Sequence, residues 1–406
     1  MLKNRSVVML PFSLLSASAC SAQTPDDGNV ERNNEEVGSI GQREVWSPKD
    51  NPSLFTSNLE RHASHLPTSG EAAQIPWAGS YWPTYQDSIN YHWAGADSLS
   101  PSKKYEVAFG GSGVEDAISA YYGIDSRAQS RRCTEDSQCD ASLDESCSIR
   151  DGESRGRCIP TWFGICHAWA PAAILLPEPK HAVVKNGVRF DVQDIKALVS
   201  LVHDDVGSKF VSMRCNLSAG EMERDEDGRP NSACRDTNPG TLHILLTNYL
   251  GIKKQSFVED RTFDYQVWNQ PLRSYEILEQ TNVTAQEANR LVVASTGNTP
   301  RRYKFNPDAV SFLHVKTEVQ YIGETAPEAG NVSSRIDHYT GHSRYDYVLE
   351  LDAQGAIIGG EWVGKSKSQH PDFLWLPDEQ DESATFAGGA ISYANVKALA
   401  IASVAP

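Results

Sequence analysis

Cys166 is the residue whose type and setting best suit covalent chemistry. It lies in the stretch Cys158 to Ala173, which reads Cys-Ile-Pro-Thr-Trp-Phe-Gly-Ile-Cys-His-Ala-Trp-Ala-Pro-Ala-Ala. Gly164 lets the backbone approach a neighbour closely, and the small, apolar run Ala168 to Leu176 predicts a buried helix with Cys166 near its amino end. Unpaired N–H groups and the helix dipole at such an end favour a thiolate, the nucleophilic form of cysteine. Pro171 leaves two geometries open: the helix bends there, or it begins nearer Pro171 with Cys166 in the preceding turn. Both predict an accessible sulfur. A buried structural cysteine is the competing reading.

The cysteine count favours the reactive reading. Residues 1–22 have the form of an export signal: Lys3 and Arg5 are the basic region, Val7 to Leu15 the apolar core, and Ala17-Ser18-Ala19-Cys20 the small-residue cleavage region. The same box also reads as a bacterial lipoprotein signal in which Cys20 would carry lipid; simple secretion with cleavage near Ala19 or Ala22 is the alternative. An exported chain can form disulfides. Of 8 cysteines, setting Cys20 aside leaves 8 − 1 = 7, an odd number. Cys133, Cys139, Cys147 and Cys158 fall in a polar, acidic run and predict a small insert at 133–158 stapled by two disulfides of undetermined pairing. Cys215 and Cys234 flank a charged loop and form a natural third pair. Cys166 is left over.

A cysteine nucleophile needs a base, and usually a third group that fixes the base's tautomer. Of the 11 histidines, His167 is set aside because successive helix residues point away from each other. His62 and His65 lie in a polar leader, and His203, beside Asp204 and Asp205, reads as a solvated cap. His243 enters an apolar segment and is followed by Asp260 at the start of a strand. Cysteine on a helix, then histidine and acid on later elements, fits a papain or transglutaminase type of site, although a satisfied core histidine would look the same. His370, beside Asp372, is the rival base, with Pro371 making a structural turn an equal reading.

The elements that must position these groups are legible in outline. The chain has 406 residues, 39% hydrophobic, with 9 tryptophans, enough for a substantial core. Its net charge of −16 disfavours nucleic acid or an anionic membrane as a partner. Residues 23–75 are polar and aperiodic, which predicts a linker or pro-segment, and the catalytic domain is expected at 76–406. Aromatic residues crowd between Trp77 and Trp93. Lys103 to Tyr122 predicts one or two short helices, and Phe190 to Val202 an amphipathic helix with Ile195, Leu198, Val199 and Val202 inward. Phe257 to Pro271 predicts a strand running into a turn at Asn269 to Pro271. Tyr345 to Asp352 and Ala356 to Gly364 predict a hairpin. The acidic turn 224–228 resembles only a fragment of a calcium loop. Early helices and late strands imply an α+β arrangement.

Three segments in the same order carry a resemblance: Gly164-Ile-Cys-His-Ala-Trp-Ala-Pro-Ala-Ala-Ile-Leu175, the stretch from Asn238 to Gly251, and Val267-Trp-Asn-Gln-Pro-Leu-Arg-Ser-Tyr-Glu276. Gly359 to Gly364 and His370 to Pro377 add to it. Together they resemble the transglutaminase elicitor family of oomycete plant pathogens and marine bacteria, from about Trp77 nearly to the C-terminus. The resemblance implies a papain-like fold and calcium-dependent transfer of protein glutamine acyl groups to lysine or polyamine amines. It implies Cys166 as nucleophile, with His243 and Asp260 as base and orienting acid. The third segment resembles the surface peptide by which plants perceive the oomycete enzymes, but Leu272, Ser274 and Ile277 depart from related versions. The cysteine-rich insert and the lipoprotein-like signal suggest a bacterial member.

A tunnel walled by aromatic side chains would favour an amine acceptor over water. Trp169, Trp268 and Trp362, with Pro271, are the groove candidates, although core packing is the simpler reading of each tryptophan taken singly. A papain-like peptidase or deamidase would use the same residues with water as acceptor, and a surface recognition module would leave the cysteine structural.

Overall fold

The computed structural model describes residues 49–217, 223, 236–262, 265–293, 303 and 305–406. The export signal with Cys20, the acidic turn 224–228 and Cys234 lie outside the described residues. In chain order the first half contributes strand β1 (Ser69–Glu71), helices α1 (Pro101–Phe109) and α2 (Val114–Tyr122), and strands β2 (Arg132–Cys133), β3 (Glu145–Ser148) and β4 (Gly156–Pro160). Helix α3 (Cys166–Leu175), strands β5 (Val183–Lys185) and β6 (Val188–Phe190), helix α4 (Val192–Leu201) and strand β7 (Ser208–Ser212) follow. Helix α5 (Pro239–Leu245) continues into a π-helical turn, Leu246–Lys253, and leads to strands β8 (Val258–Asp260) and β9 (Asn269–Val283) and helix α6 (Ala285–Val292). The chain ends with β10 (Ser311–Ile322), β11 (Thr340–Leu351), β12 (Ile357–Trp362), β13 (Phe373–Pro377), the short β14 (Thr385–Phe386) and β15 (Ile391–Ser392), and helix α7 (Tyr393–Val404).

The main sheet has eight strands in the order β12-β11-β10-β9-β8-β13-β7, with β1 added beside β9, and its pairings are antiparallel. Helix and sheet are thus mixed, as expected. The 345–352 and 356–364 runs form the β11/β12 hairpin, and the 103–122 run forms two helices separated at Gly110 to Gly113. The 257–271 run divides differently: β8 stops at Asp260 and a new strand begins at Asn269, running through Pro271 instead of turning there. Pro271 is tolerated because it pairs only with Val258 of β8; the β10 ladder begins one residue later, at Leu272.

Strand β13 connects two cores. Phe373 and Trp375 pack into the first, with α1 to α4 and α7, while Leu374 and Leu376 pack into the second, with α5 and the long strands. Because strand side chains alternate between faces, an apolar run such as Phe-Leu-Trp-Leu belongs to a strand covered on both sides. Of residues 49–75, which fall in the expected linker or pro-segment, Ser69–Glu71 join the sheet. β1 pairs with β9, and the Tyr275 hydroxyl donates to the Pro67 carbonyl at 2.6 Å. Among the described residues no helix is long and apolar enough to cross a membrane.

The insert is a small three-stranded sheet, β2-β4-β3, closed by disulfides Cys133–Cys147 and Cys139–Cys158. Each closes a short loop and is worth ~3 kcal/mol. The second fixes the strand that leads directly to Cys166.

Helix α4 carries a buried charge. A capping box at Asp191 and Asp194 starts it, and Ile195, Leu198 and Val199 face the core as their spacing predicts. Lys196, on the same helix, lies 2.5 Å from Glu178, both side chains nearly inaccessible. The ammonium also donates to the carbonyls of Ala78 and Gly330, tying the segment ahead of the site to α4. Lys196→Met should lower unfolding free energy by about 3–5 kcal/mol by stranding the Glu178 carboxylate. Urea unfolding checks this; adding Glu178→Gln should recover much of the loss.

Candidate active site

The approach to Cys166 is held by the aromatic segment upstream. The Ile165 N–H donates to the Tyr81 carbonyl at 2.7 Å, and the Thr84 N–H to the Phe163 carbonyl at 2.8 Å. Gly164 is required here, since a Cβ would stand 2.5 Å from the Tyr81 carbonyl oxygen. Helix α3 then starts at Cys166 and passes through Pro171, whose missing N–H leaves only the His167 carbonyl without its helical donor. Its small residues are buried on all sides and let α4 and β9 pack close.

Cys166 is the free cysteine among the described residues, and it is wholly buried at 0% exposure. The expectation of an accessible sulfur is corrected: the residues just ahead of β9 cover it. The thiol lies 3.8 Å from the Val267 carbonyl, and the Asn269 amide Nδ2 donates to the sulfur at 3.6 Å. The Asn269 Oδ1 accepts from the Trp375 indole at 2.8 Å.

The imidazole brought to Cys166 is that of its neighbour, His167. Its Nε2 lies 2.7 Å from Asp204 Oδ1. Burial opposes a charge on His167, but the hydrogen-bonded Asp204 carboxylate and the neighbouring Cys166 sulfur outweigh it, and its pKa is pushed up to about 10. An imidazolium beside a sulfur at a helix start is an arrangement that stabilises thiolate. Asp204, just past α4, draws His167 into place from a distance of 37 residues.

The other expected residues are placed elsewhere or act indirectly. His243 is buried in the second core with Nδ1 at 2.9 Å from the Tyr347 hydroxyl, and burial lowers its pKa to about 4. No described contact joins it to Cys166 or Asp260. The Asp260 carboxylate accepts from the Trp268 N–H at 2.8 Å and from Thr262, so it anchors the ends of the stretch covering the sulfur. Burial, then the neighbouring Asp372, raise its pKa well above the usual carboxylate range. His370 stacks on Trp362 and lies 3.4 Å from Asp236; Nδ1 is 2.6 Å from the Ser366 carbonyl. His203 is a buried residue 2.7 Å from the Val199 carbonyl, not a solvated cap. Among the groove candidates, Trp169 packs against the Gly79 backbone in the first core, Trp362 in the second, and Pro271 inside β9. Trp268 alone stands half-buried beside the site, edge-on to Tyr81 at 5.8 Å. Cys215 is disulfide-bonded, and its expected partner lies outside the described residues.

A calcium ion needs several converging oxygens. Among the described residues the one converging trio of metal-type ligands is Cys133, Cys139 and Cys158, whose sulfurs are those of the two disulfides. Among the described residues no trio of carboxylates converges in that way, and no step below runs through the calcium that the resemblance implies.

Because the folded-state pKa of His167 lies above its ordinary value of 6.5, the folded chain holds a proton that the unfolded chain releases as pH rises. The resulting stabilisation is fully present below pH 6.5 and lost as pH rises through about 10. Unfolding midpoints in urea should fall across this window, and His167→Gln should flatten the fall.

The family model described as transglutaminase elicitor matches residues 50–405. The crystal structure of the GP42 transglutaminase from Phytophthora sojae is similar with a TM-score of 0.73 and 41% sequence identity, covering 86% of this chain and 95% of that one. No curated protein matches. With a nearly full-length family match and a full-length structural relative at that identity, the chain belongs to the transglutaminase elicitor family.

Proposed function

We propose that the protein is a protein-glutamine γ-glutamyltransferase in which Cys166 is the nucleophile and His167, oriented by Asp204, the acid and base. The carrying observation is a free cysteine at the start of α3 followed at once by a buried histidine whose imidazole is paired with the Asp204 carboxylate, in a chain of this family. A nucleophile opening a helix that packs on an antiparallel sheet is the arrangement of a papain-like site. The disulfides support an exported protein.

The thiolate attacks the side-chain carbonyl carbon of a protein-bound glutamine. The tetrahedral intermediate collapses with cleavage of the C–N bond, and the His167 imidazolium gives its proton to the departing nitrogen, which leaves as ammonia. A neutral lysine or polyamine amine then attacks the thioester, and the C–S bond breaks. His167 takes the proton lost by the nitrogen, restoring imidazolium and thiolate beside a new amide. Transfer must outrun hydrolysis, and a sulfur without solvent contact suits that need. The Val267 carbonyl lies 3.8 Å from the sulfur, so an acyl group on Cys166 must displace it.

The experiment is incorporation of a labelled amine into a glutamine peptide. Cys166→Ala should abolish it, and His167→Ala should lower kcat/KM by about 10²–10⁴-fold. His243→Gln should lower stability while leaving kcat/KM of the folded protein roughly unchanged. Ammonia release without amine incorporation would replace the transferase with a deamidase, and loss of turnover in His243→Gln but not in His167→Ala would overturn the assignment of the base.

A further inference from the structure

We propose that Asn269, locked by Trp375, is a positioning residue for the Cys166 sulfur: its side-chain amide donates to the sulfur and steadies it as thiolate. This rests on the reading of Cys166 as nucleophile and adds a group to it.

The orientation of the amide follows from its partners. An indole N–H can only donate, so the atom of Asn269 that meets Trp375 at 2.8 Å must be the carbonyl oxygen. The amide nitrogen is then turned to the sulfur, at 3.6 Å, a normal length for a bond to so large an acceptor. Both side chains are held by regular strands. Asn269 opens β9 and pairs with Asp260 of β8, Trp375 pairs with Val258 of the same strand, and the two reach each other across β8. Both are buried, so water cannot substitute for either partner.

Val267 and Asn269 suit different protonation states of the sulfur. The Val267 carbonyl at 3.8 Å accepts from the thiol and loses its donor when the sulfur ionises. The Asn269 amide gains strength at that moment, because a hydrogen bond to an anion is roughly twice as strong as one to a neutral acceptor. His167 supplies the opposite charge, and Asn269 supplies a directed dipole on another side. An aspartate of the same shape would place a second acceptor against the anion.

The test is the pH dependence of iodoacetamide alkylation of Cys166 in the folded, non-reduced protein, read by mass spectrometry, in wild type, Asn269→Ala, Asn269→Asp and Trp375→Phe. The midpoint should rise by about one pH unit in Asn269→Ala and Trp375→Phe, with alkylation at neutral pH about tenfold slower. Asn269→Asp should shift further. If Asn269→Ala does not fold, the isosteric aspartate and the ring-conserving Trp375→Phe decide the matter. Profiles coincident with wild type would overturn the role of Asn269 while leaving Cys166 as nucleophile. A wild-type Cys166 inert at every pH would overturn both.

Discussion

Any negative charge on the Cys166 sulfur must be met by protein groups alone, because no solvent reaches it. Desolvating an ion costs several kcal/mol, so a buried thiolate persists only with a cation and directed donors around it. Each neighbour can be read in those terms. The start of α3 offers the positive end of its dipole, His167 a proton held by Asp204, and Asn269 an amide pinned by Trp375. These groups come from widely separated segments, and the fold is what brings them to one atom.

The strand that begins at Asn269 explains how one short motif serves several needs. Trp268 lends its N–H to Asp260 and its ring to the margin of the site, Asn269 faces the sulfur, and Pro271 occupies the last position where a missing N–H is harmless. Leu272 fills the second core. From Ser274 to Glu276 the strand is paired on both sides, with β1 and β10. This segment is therefore structural main chain inside a sheet and is not displayed as a free peptide. The Cys139–Cys158 bridge acts on the other side, fixing the chain just ahead of the nucleophile loop.

Local signals were legible in the sequence and long-range ones were not. An odd cysteine count singled out Cys166, and small residues after Gly164 marked its helix. Three-and-four spacing identified α4, and a short polar turn identified the β11/β12 hairpin. Sequence spacing did not bring out the His167–Asp204 pair, for a physical reason. Asp204 looked like the companion of His203 at a helix end, whereas His203 turns inward to Val199 and Asp204 reaches across to His167. His243 had the polarity pattern of a catalytic residue, and burial beside Tyr347 accounts for that pattern equally well. Asn269 and Trp375 lay inside the motifs that carried the family resemblance, but nothing in their spacing tells that they touch.

The central claim is that Cys166 carries the acyl group, and intact mass measurement of the trapped intermediate tests it most directly. Protein mixed with a glutamine peptide in the absence of amine and quenched in acid should gain the mass of the peptide less ammonia, on Cys166 alone. Turnover of the same peptide with no such adduct, or with the adduct at another residue, would contradict the account.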